Sequence, residues 1–213
     1  MTKQELALVR LAAAVGLGGD VRLERAIDEV LEAKVDPLMV EEGILMGIVA
    51  VGFPRTLIAM RAWRKATGST PQAVDREDRP DYYAQHERWT TDGEETCRIV
   101  YGSNYERLRQ TVRDLHPALD AWMITEGYGR TLSRPGLTLR QRELLMVAMC
   151  AVSDVPHQLH SHLKGALHAG ATPREVEEAL EAVIAGLSER EVEQSRALFR
   201  RVDGEAARRR GGE

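Results

Sequence analysis

Histidines gather in one short segment of the chain, and their spacing limits the chemistry that they can do together. Four of the six are His157, His160, His162 and His168. On a helix that turns about 100° per residue, three of them share one broad face, whereas His162 points to the opposite side. Neutral imidazoles bind zinc and iron, but the segment has no HExxH or facial-triad spacing and no cysteine or carboxylate at ligand spacing. We therefore predict no metal site here.

His162 is the inward-facing histidine, and Glu143 is its predicted partner. The helix face of His162 also carries Leu159, Leu163 and Ala166, and the facing helix continues from Glu143 through Met146, Val147 and Cys150. A glutamate beside an apolar wall can have a raised pKa, and a paired histidine transfers protons near neutral pH. Two interpretations follow: a proton-transfer site, or a hydrogen-bonded pair with a structural role only.

The two cysteines, Cys97 and Cys150, do not form a Cys-x-x-Cys motif, so dithiol redox chemistry has no local basis in the sequence. Cys150 lies in the apolar segment 144–152, which predicts a buried and unreactive thiol. A redox protein that uses Cys150 alone is an alternative. Two cysteines cannot build a disulfide scaffold. A chain without such a scaffold fits a reducing compartment, and we therefore expect a cytoplasmic protein.

The elements that position these residues are predicted to be helices. Apolar residues recur at helical spacing over 5–15, 21–34, 138–152 and 156–169. Asp36-Pro37 and Thr172-Pro173 each give a capping residue followed by proline, and such pairs mark helix starts. No segment alternates apolar and polar residues as a half-buried strand would, and the predicted fold is therefore all-α.

Overall composition narrows the classes of function. The chain has 213 residues with 33 acidic and 29 basic side chains, and its formal net charge of −4 gives no broad electrostatic reason to bind nucleic acid. The longest apolar run, residues 44–53, is about half as long as a bilayer span requires. The N-terminus opens directly into a charged amphipathic pattern, so no targeting segment is predicted. We expect neither a nucleic-acid partner nor a membrane partner.

An internal repeat is predicted from a shift of 136 positions, which places residues 22–64 on 158–200 without a gap. Identical pairs include Leu23/Leu159, Pro37/Pro173, Glu41/Glu177 and Glu42/Glu178. The shared turn, glutamate pair and helix spacing predict two copies of a helical-hairpin unit that bury their apolar faces together. The alternative is a chance likeness between two amphipathic helices that begin at a proline.

Residues from about 94 to 185 resemble the carboxymuconolactone decarboxylase family, part of the alkylhydroperoxidase-like superfamily. The resemblance is carried by RIVYG at 98–102, EGYG at 126–129, RPGLTLRQRELL at 134–145 and LHSHLKGALHAGATPREVEE at 159–178. The last run is the most specific, with His162, Gly170, Thr172 and Glu175. The resemblance implies an all-α helical-hairpin bundle that assembles as a homo-oligomer (dimer, trimer or hexamer) with its sites near subunit contacts.

Carried over residue by residue, the resemblance places His162 on the family histidine and Glu143 on the glutamate of a proton relay. Val155 and Gln158 stand where the peroxidase branch has its two cysteines, which disfavours a peroxidase and favours the decarboxylase branch. The implied reaction is cofactor-free decarboxylation of a small carboxylated lactone or oxo acid of aromatic degradation, with His162 as proton donor and Glu143 setting its tautomer. Arg134 or His160 is expected to hold the substrate carboxylate, and Tyr128 is a further residue expected to bind the substrate.

The resemblance also implies a division of the chain. The predicted units are 1–66 as a degenerate first copy of the repeat, 67–93 as a polar linker or arm, 94–203 as the family domain and 204–213 as a flexible tail. The first copy has Ala26 where the second has His162, and the second copy lacks the Gly-Phe-Pro element found at 52–54. These departures leave a non-catalytic oligomeric scaffold or ligand-binding protein as the alternative to a decarboxylase.

Overall fold

In the computed structural model, the described part of the chain, residues 1–70 and 82–211, is a bundle of helices. The first half contains α1 (Lys3–Leu17), α2 (Asp20–Glu32), α3 (Pro37–Leu45), α4 (Gly47–Val51) and α5 (Phe53–Thr67). The second half contains α6 (Tyr82–Tyr101), α7 (Tyr105–Leu115), α8 (Pro117–Trp122), a π-helix (Met123–Leu132), α9 (Leu139–Val152), α10 (Pro156–His168), α11 (Pro173–Glu181) and α12 (Glu189–Gly211). Short 3₁₀ turns lie at Gly102–Asn104 and Ile184–Gly186. The all-α prediction is confirmed, since no strand occurs in the described ranges.

The helices begin where capping chemistry predicts. Thr138 accepts a hydrogen bond from the backbone N–H of Gln141, and the Gln141 side chain accepts one from the backbone of Thr138. Thr172 and Glu175 form the same reciprocal box at the start of α11. Such boxes satisfy backbone N–H groups that have no partner within the helix, at about 1 kcal/mol for each cap. They fix the starts of the two helices on either side of α10.

Helix α9 is the central element of the core. Its residues 142–152 are all buried, whereas a surface helix buries only one stripe. Helices α1 and α10 pack against it, and Gly16 of α1 permits the close approach, because a Cβ at Gly16 would lie 2.5 Å from Val152. Burial of each leucine on this helix, Leu144 and Leu145 among them, contributes about 2 kcal/mol. Buried polar side chains on α9 are therefore unusual in this otherwise apolar core.

A second, smaller core joins α6 to the π-helix. Gly93 of α6 and Gly129 of the π-helix lie at the crossing, where a Cβ on either residue would overlap backbone of the other helix. π-Helices are rare and are found mostly at functional sites. Here the close crossing fixes Tyr128, the neighbour of Gly129, in the buried cluster with Cys97 and Val100.

Two series of helices follow the same order along the chain. Helices α1, α2 and α3 contain 15, 13 and 9 residues, and α9, α10 and α11 contain 14, 13 and 9. A short helical element comes next in each series, α4 in the first and the 3₁₀ turn Ile184–Gly186 in the second, and a longer helix follows it, α5 or α12. This order is what the predicted repeat requires, and the repeat itself stays a prediction.

Residues 82–93 of the linker or arm predicted at 67–93 form the start of α6. The sequence here includes Thr90, Thr91 and Gly93, which are weak helix formers. Packing of this segment on the π-helix overrides that local preference, because the crossing buries Gly93. The boundary predicted between 93 and 94 therefore falls within one helix. Residues 71–81 of the predicted linker lie outside the described residues.

The tail predicted to be flexible from 204 is helical as far as Gly211, where α12 ends. Glu205 holds this part of the helix to α10 through an ion pair with Lys164 at 2.6 Å. Ala206 and Ala207 are also strong helix formers. Residues 212–213 of the predicted tail lie outside the described residues. Among the helices described above, none combines the length and the apolar character that crossing a membrane would demand.

Candidate active site

Glu143 and His162 form a hydrogen-bonded pair between α9 and α10. His162 Nδ1 lies 2.9 Å from Glu143 Oε2. The glutamate is 0% exposed and the histidine 8% exposed, so the pair is placed within the core. The structure thus brings together the two residues that the sequence predicts as partners.

Helix α10 is shaped to receive the carboxylate. Gly165 lies one turn after His162, and a Cβ at this position would overlap Oε2 of Glu143. On the other side, the same Cβ would lie 2.7 Å from Val100 of α6. Three helices therefore meet at the carboxylate, and a glycine is what allows them to do so.

The pair has the arrangement of a proton relay. A carboxylate that accepts from Nδ1–H leaves the other ring nitrogen, Nε2, as the acceptor of the neutral histidine and as a donor when the ring is protonated. The His162 side chain keeps 10% of its surface exposed, and Nε2 is not among the fully buried atoms that lack a partner. Nε2, which has no hydrogen-bond partner among the described residues, is therefore the ring atom left for proton transfer. Within the described residues, Glu143 Oε1 is buried and has no hydrogen-bond partner.

Two tyrosines lie close enough to Glu143 for its charge to act on them. The rings of Tyr101 and Tyr128 meet edge to face, with centroids 6.2 Å apart. Burial raises the pKa of Tyr128 well above its ordinary value, and the negative charges of Tyr101 and Glu143 add to the rise. Burial also raises the pKa of Tyr101. Both phenols therefore stay protonated at neutral pH. Tyr128 is a predicted site residue, whereas Tyr101 was not assigned a role although it stands in the RIVYG segment at 98–102.

The two thiols are poor nucleophiles. Burial raises the pKa of both Cys97 and Cys150 to about 12, and Glu143 adds to the rise for Cys150. Because only the thiolate attacks peroxides, both residues are held in their unreactive form. The prediction of a buried Cys150 thiol is confirmed.

Arg134, the predicted ligand of a substrate carboxylate, is paired with a carboxylate of the protein itself. Its guanidinium is already bidentate on Glu42, with Nη2 donating to Oε1 at 2.8 Å and Nε donating to Oε2 at 3.1 Å. Glu42 comes from α3 in the first half of the chain, and no local spacing in the sequence connects the two residues. That distant carboxylate engages the guanidinium, and the role of Arg134 in substrate binding stays a prediction.

A buried arginine, which the sequence reasoning missed, shares the same carboxylate. Arg142 is 0% exposed, and its Nη2 donates to Glu42 Oε2 at 2.8 Å and to the backbone carbonyls of Arg134 and Pro135. Its Nε and Nη1 have no partner in the described part of the chain. The hydrogen bonds of this cluster hold α9 and the loop that precedes it against α3.

His160 lies on the other side of α10 from His162, and its role in substrate binding stays a prediction. Residues that are two positions apart on a helix point to nearly opposite sides, so His160 points away from the side of His162. His160 faces α12. Burial lowers the pKa of His160, and the positive charges of Lys164 and Arg201 lower it further. Its Nε2 is buried without a partner. Nowhere in the described ranges do three or more His, Cys, Asp or Glu residues come together as metal ligands would.

The family resemblance predicted from the sequence is confirmed. The model of the carboxymuconolactone decarboxylase family matches residues 117–199, a range that includes Glu143 and His162. The chain is also similar to Peroxisomal protein 2 of Schizosaccharomyces pombe, with 30% identity over 140 residues. That match covers 63% of this chain and 62% of the length of the relative.

Proposed function

We propose that this protein is a cofactor-free enzyme that moves a proton through the Glu143–His162 pair and that it decarboxylates a small carboxylated lactone or oxo acid. The observation that carries the proposal is the 2.9 Å hydrogen bond between Nδ1 of His162 and the buried carboxylate of Glu143, which leaves Nε2 of the same ring for the substrate. The match to the carboxymuconolactone decarboxylase family supports the choice of reaction. The substrate class comes from that family name and from the chemistry below.

The reaction needs one bond to break and one to form. The bond between the substrate carboxylate and its neighbouring carbon breaks, carbon dioxide leaves, and the electron pair moves to the substrate carbonyl oxygen as an enolate. The carbon then takes a proton from Nε2 of protonated His162, which leaves the neutral imidazole. A proton from solvent restores His162, so the sum is a carboxylate and a proton converted into carbon dioxide and a C–H bond.

Glu143 has two tasks in this scheme. Its carboxylate fixes the ring so that the proton stays on Nδ1, and it stabilises the imidazolium that must exist before proton transfer. Because Glu143 is 0% exposed, its charge acts on His162 with little screening by solvent. Removal of the charge with retention of shape, as in Glu143→Gln, is therefore expected to lower turnover.

Peroxide reduction has less support. The dithiol positions of that branch are Val155 and Gln158, and the two cysteines present have pKa values of about 12. A redox reaction would require a thiolate that this environment disfavours.

The exposed apolar side chains of α5 support the proposal of a homo-oligomer. Phe53, Leu57 and Ile58 are 61%, 60% and 49% exposed, and they lie within two turns of one helix. Contiguous apolar surface of this kind marks protein contacts. The proposed location stays the cytoplasm, and the name of the yeast relative makes a peroxisomal location the alternative to test by microscopy of a tagged chain.

The test of function is a screen of small carboxylated lactones and 3-oxo acids for release of carbon dioxide. Wild-type protein is compared with His162→Gln and with His157→Gln, a matched control on the same helix whose side chain is exposed. We expect release with wild type and the control and a loss of about 100-fold with His162→Gln, the usual scale of general acid catalysis. No release by wild type from any of these acids would favour a non-catalytic ligand-binding protein.

A further inference from the structure

A row of exposed side chains runs along the outer side of α5. Phe53, Leu57, Arg61 and Lys65 follow one another at intervals of four residues, and such positions lie one above another on a helix. All four are exposed, whereas the buried residues of α5 lie on its opposite side. This α5 row is therefore apolar where the helix begins and basic where it ends.

The positive charge of the α5 row is not balanced by its own helix. The sequence of α5 contains arginine and lysine but no acidic residue. Arg64 is held by Glu41 at 2.6 Å, whereas Arg61 and Lys65 have no ion-pair partner in the part of the chain that the structure describes. A surface that joins exposed apolar side chains to unpaired cations fits a partner surface that is both apolar and acidic.

A groove with that chemistry lies at the beginning of α12. It is open, has a volume of about 600 Å³, and is lined by α12 and by the 3₁₀ turn that precedes this helix. Its apolar lining consists of the half-buried Ile184, Leu187 and Val192, and its acidic residues are the exposed Glu189 and Glu193. Neither glutamate has an ion-pair partner among the described residues. This α12 groove is thus apolar and acidic at one end.

The other end of the α12 groove is basic. The Arg196 guanidinium donates to both carboxylate oxygens of Glu181 at 2.9 Å, so its charge is balanced, whereas Arg200 has no such partner in the described ranges. An unpaired guanidinium is attracted to the face of an aromatic ring. From Glu189 to Arg200 the groove is about 16 Å long, and the α5 row from Phe53 to Lys65 is about 18 Å long. The two surfaces therefore match in length and, when the helices run antiparallel, in their order of charge.

The apolar outer face of α5 is not a requirement of the fold. In the predicted repeat, the shift of 136 positions places Phe53 and Leu57 on Glu189 and Glu193. Helices α5 and α12 close the two series of helices, and α12 carries charges where α5 exposes large apolar side chains. A helix in this place thus tolerates a charged outer face, and a contact with another molecule accounts for the apolar one.

We propose that the α5 row of one copy of this chain docks antiparallel into the α12 groove of a second copy. The two basic residues of the row then pair with the two acidic residues of the groove, and its phenylalanine lies on the guanidinium of Arg200. The aliphatic stems of Arg61 and Lys65 cover the apolar lining of the groove. The inference rests on the proposed homo-oligomer and names the two surfaces that form it.

The test reverses the charge of each surface separately and then mixes the two proteins. One variant of the full chain carries Arg61→Glu and Lys65→Glu, and the other carries Glu189→Lys and Glu193→Lys. Each variant alone brings like charges together across the contact, and we expect its dissociation constant, measured by sedimentation velocity, to rise about 10-fold or more. In an equal mixture every row meets a groove of opposite charge, so association should return to the strength of wild type.

Two further variants separate this contact from general effects of charge and folding. The control with Lys3→Glu and Arg107→Glu makes the same change in net charge on exposed residues of α1 and α7, and it should leave the dissociation constant unchanged. Phe53→Ser removes a side chain that is 61% exposed, and it should weaken association without lowering the midpoint of thermal unfolding. Thermal unfolding of the charge-reversed variants checks that they are folded.

The outcomes distinguish this inference from the proposals on which it rests. A wild-type chain that stays monomeric would overturn both the inference and the homo-oligomer. If wild type is an oligomer that neither charge reversal weakens, or if the mixture does not associate again, the inference is overturned while the homo-oligomer stands. Carbon dioxide release by wild type tests decarboxylation separately, because the changed residues lie outside the Glu143–His162 pair.

Discussion

Gly165 makes room for the carboxylate of Glu143. The glycine belongs to α10 and the glutamate to α9, and a Cβ at residue 165 would overlap Oε2 of Glu143. The same Oε2 is the atom that holds Nδ1 of His162. A residue with no chemistry of its own thus determines whether the proton-transfer pair can form.

Replacement of Gly165 by alanine should therefore damage both stability and activity. The added methyl group must displace Glu143 or Val100, both of which are buried, and we expect a loss of about 1–3 kcal/mol in the free energy of unfolding. Gly127→Ala is the matched control, because a Cβ there would contact nothing within 4 Å. Urea unfolding measures both variants, and equal stability of Gly165→Ala and wild type would contradict the packing described here.

Glu42→Gln should destabilise the protein strongly. The substitution leaves Arg142, which is 0% exposed, without its buried counter-charge, and such losses cost about 3–5 kcal/mol. The control is Glu126→Gln, which removes a surface ion pair with Arg130 and should change stability by about 0.5 kcal/mol or less. The denaturant midpoints of unfolding of the two variants measure this difference. Similar midpoints for both variants would refute a stabilising role of the buried cluster.

The stability of the fold should decrease as the pH falls below about 6.5, the ordinary pKa of histidine. Burial, followed by Lys164 and Arg201, lowers the pKa of His160 in the folded state. The unfolded chain therefore binds a proton at a higher pH than the folded chain, so this contribution is complete above pH 6.5 and is lost as the pH falls towards the folded pKa. Unfolding measured from pH 5 to 7.5 should show a weaker pH dependence for His160→Gln than for wild type. An identical pH profile would show that His160 does not contribute.

Both thiols should be unreactive in the folded protein. With pKa values of about 12, Cys97 and Cys150 are almost entirely protonated at pH 8. A chromogenic disulfide reagent at pH 8 should label neither residue within the time in which it labels both in the urea-unfolded chain. Fast labelling of one thiol in the folded state would restore the redox alternative.

The sequence predicted the fold and the central pair because both depend on local patterns. Capping residues, proline positions and apolar spacing are properties of neighbouring residues, and they located α9 and α10 closely. The facing positions of Glu143 and His162 followed from the two helix faces. In contrast, the ion pair of Arg134 with Glu42 was missed because the two residues lie 92 positions apart. The start of α6 was missed for a related reason, since a tertiary crossing at Gly93 stabilises a segment with weak helix propensity.

The most direct test of the central claim follows the proton itself. Decarboxylation of a screened substrate in D₂O by wild-type protein should place one deuterium on one face of the product carbon, because His162 delivers it from a fixed position. We expect His162→Gln to lose about 100-fold in rate and to lose this facial preference. An unchanged rate and the same stereochemistry in His162→Gln would contradict proton donation by this residue.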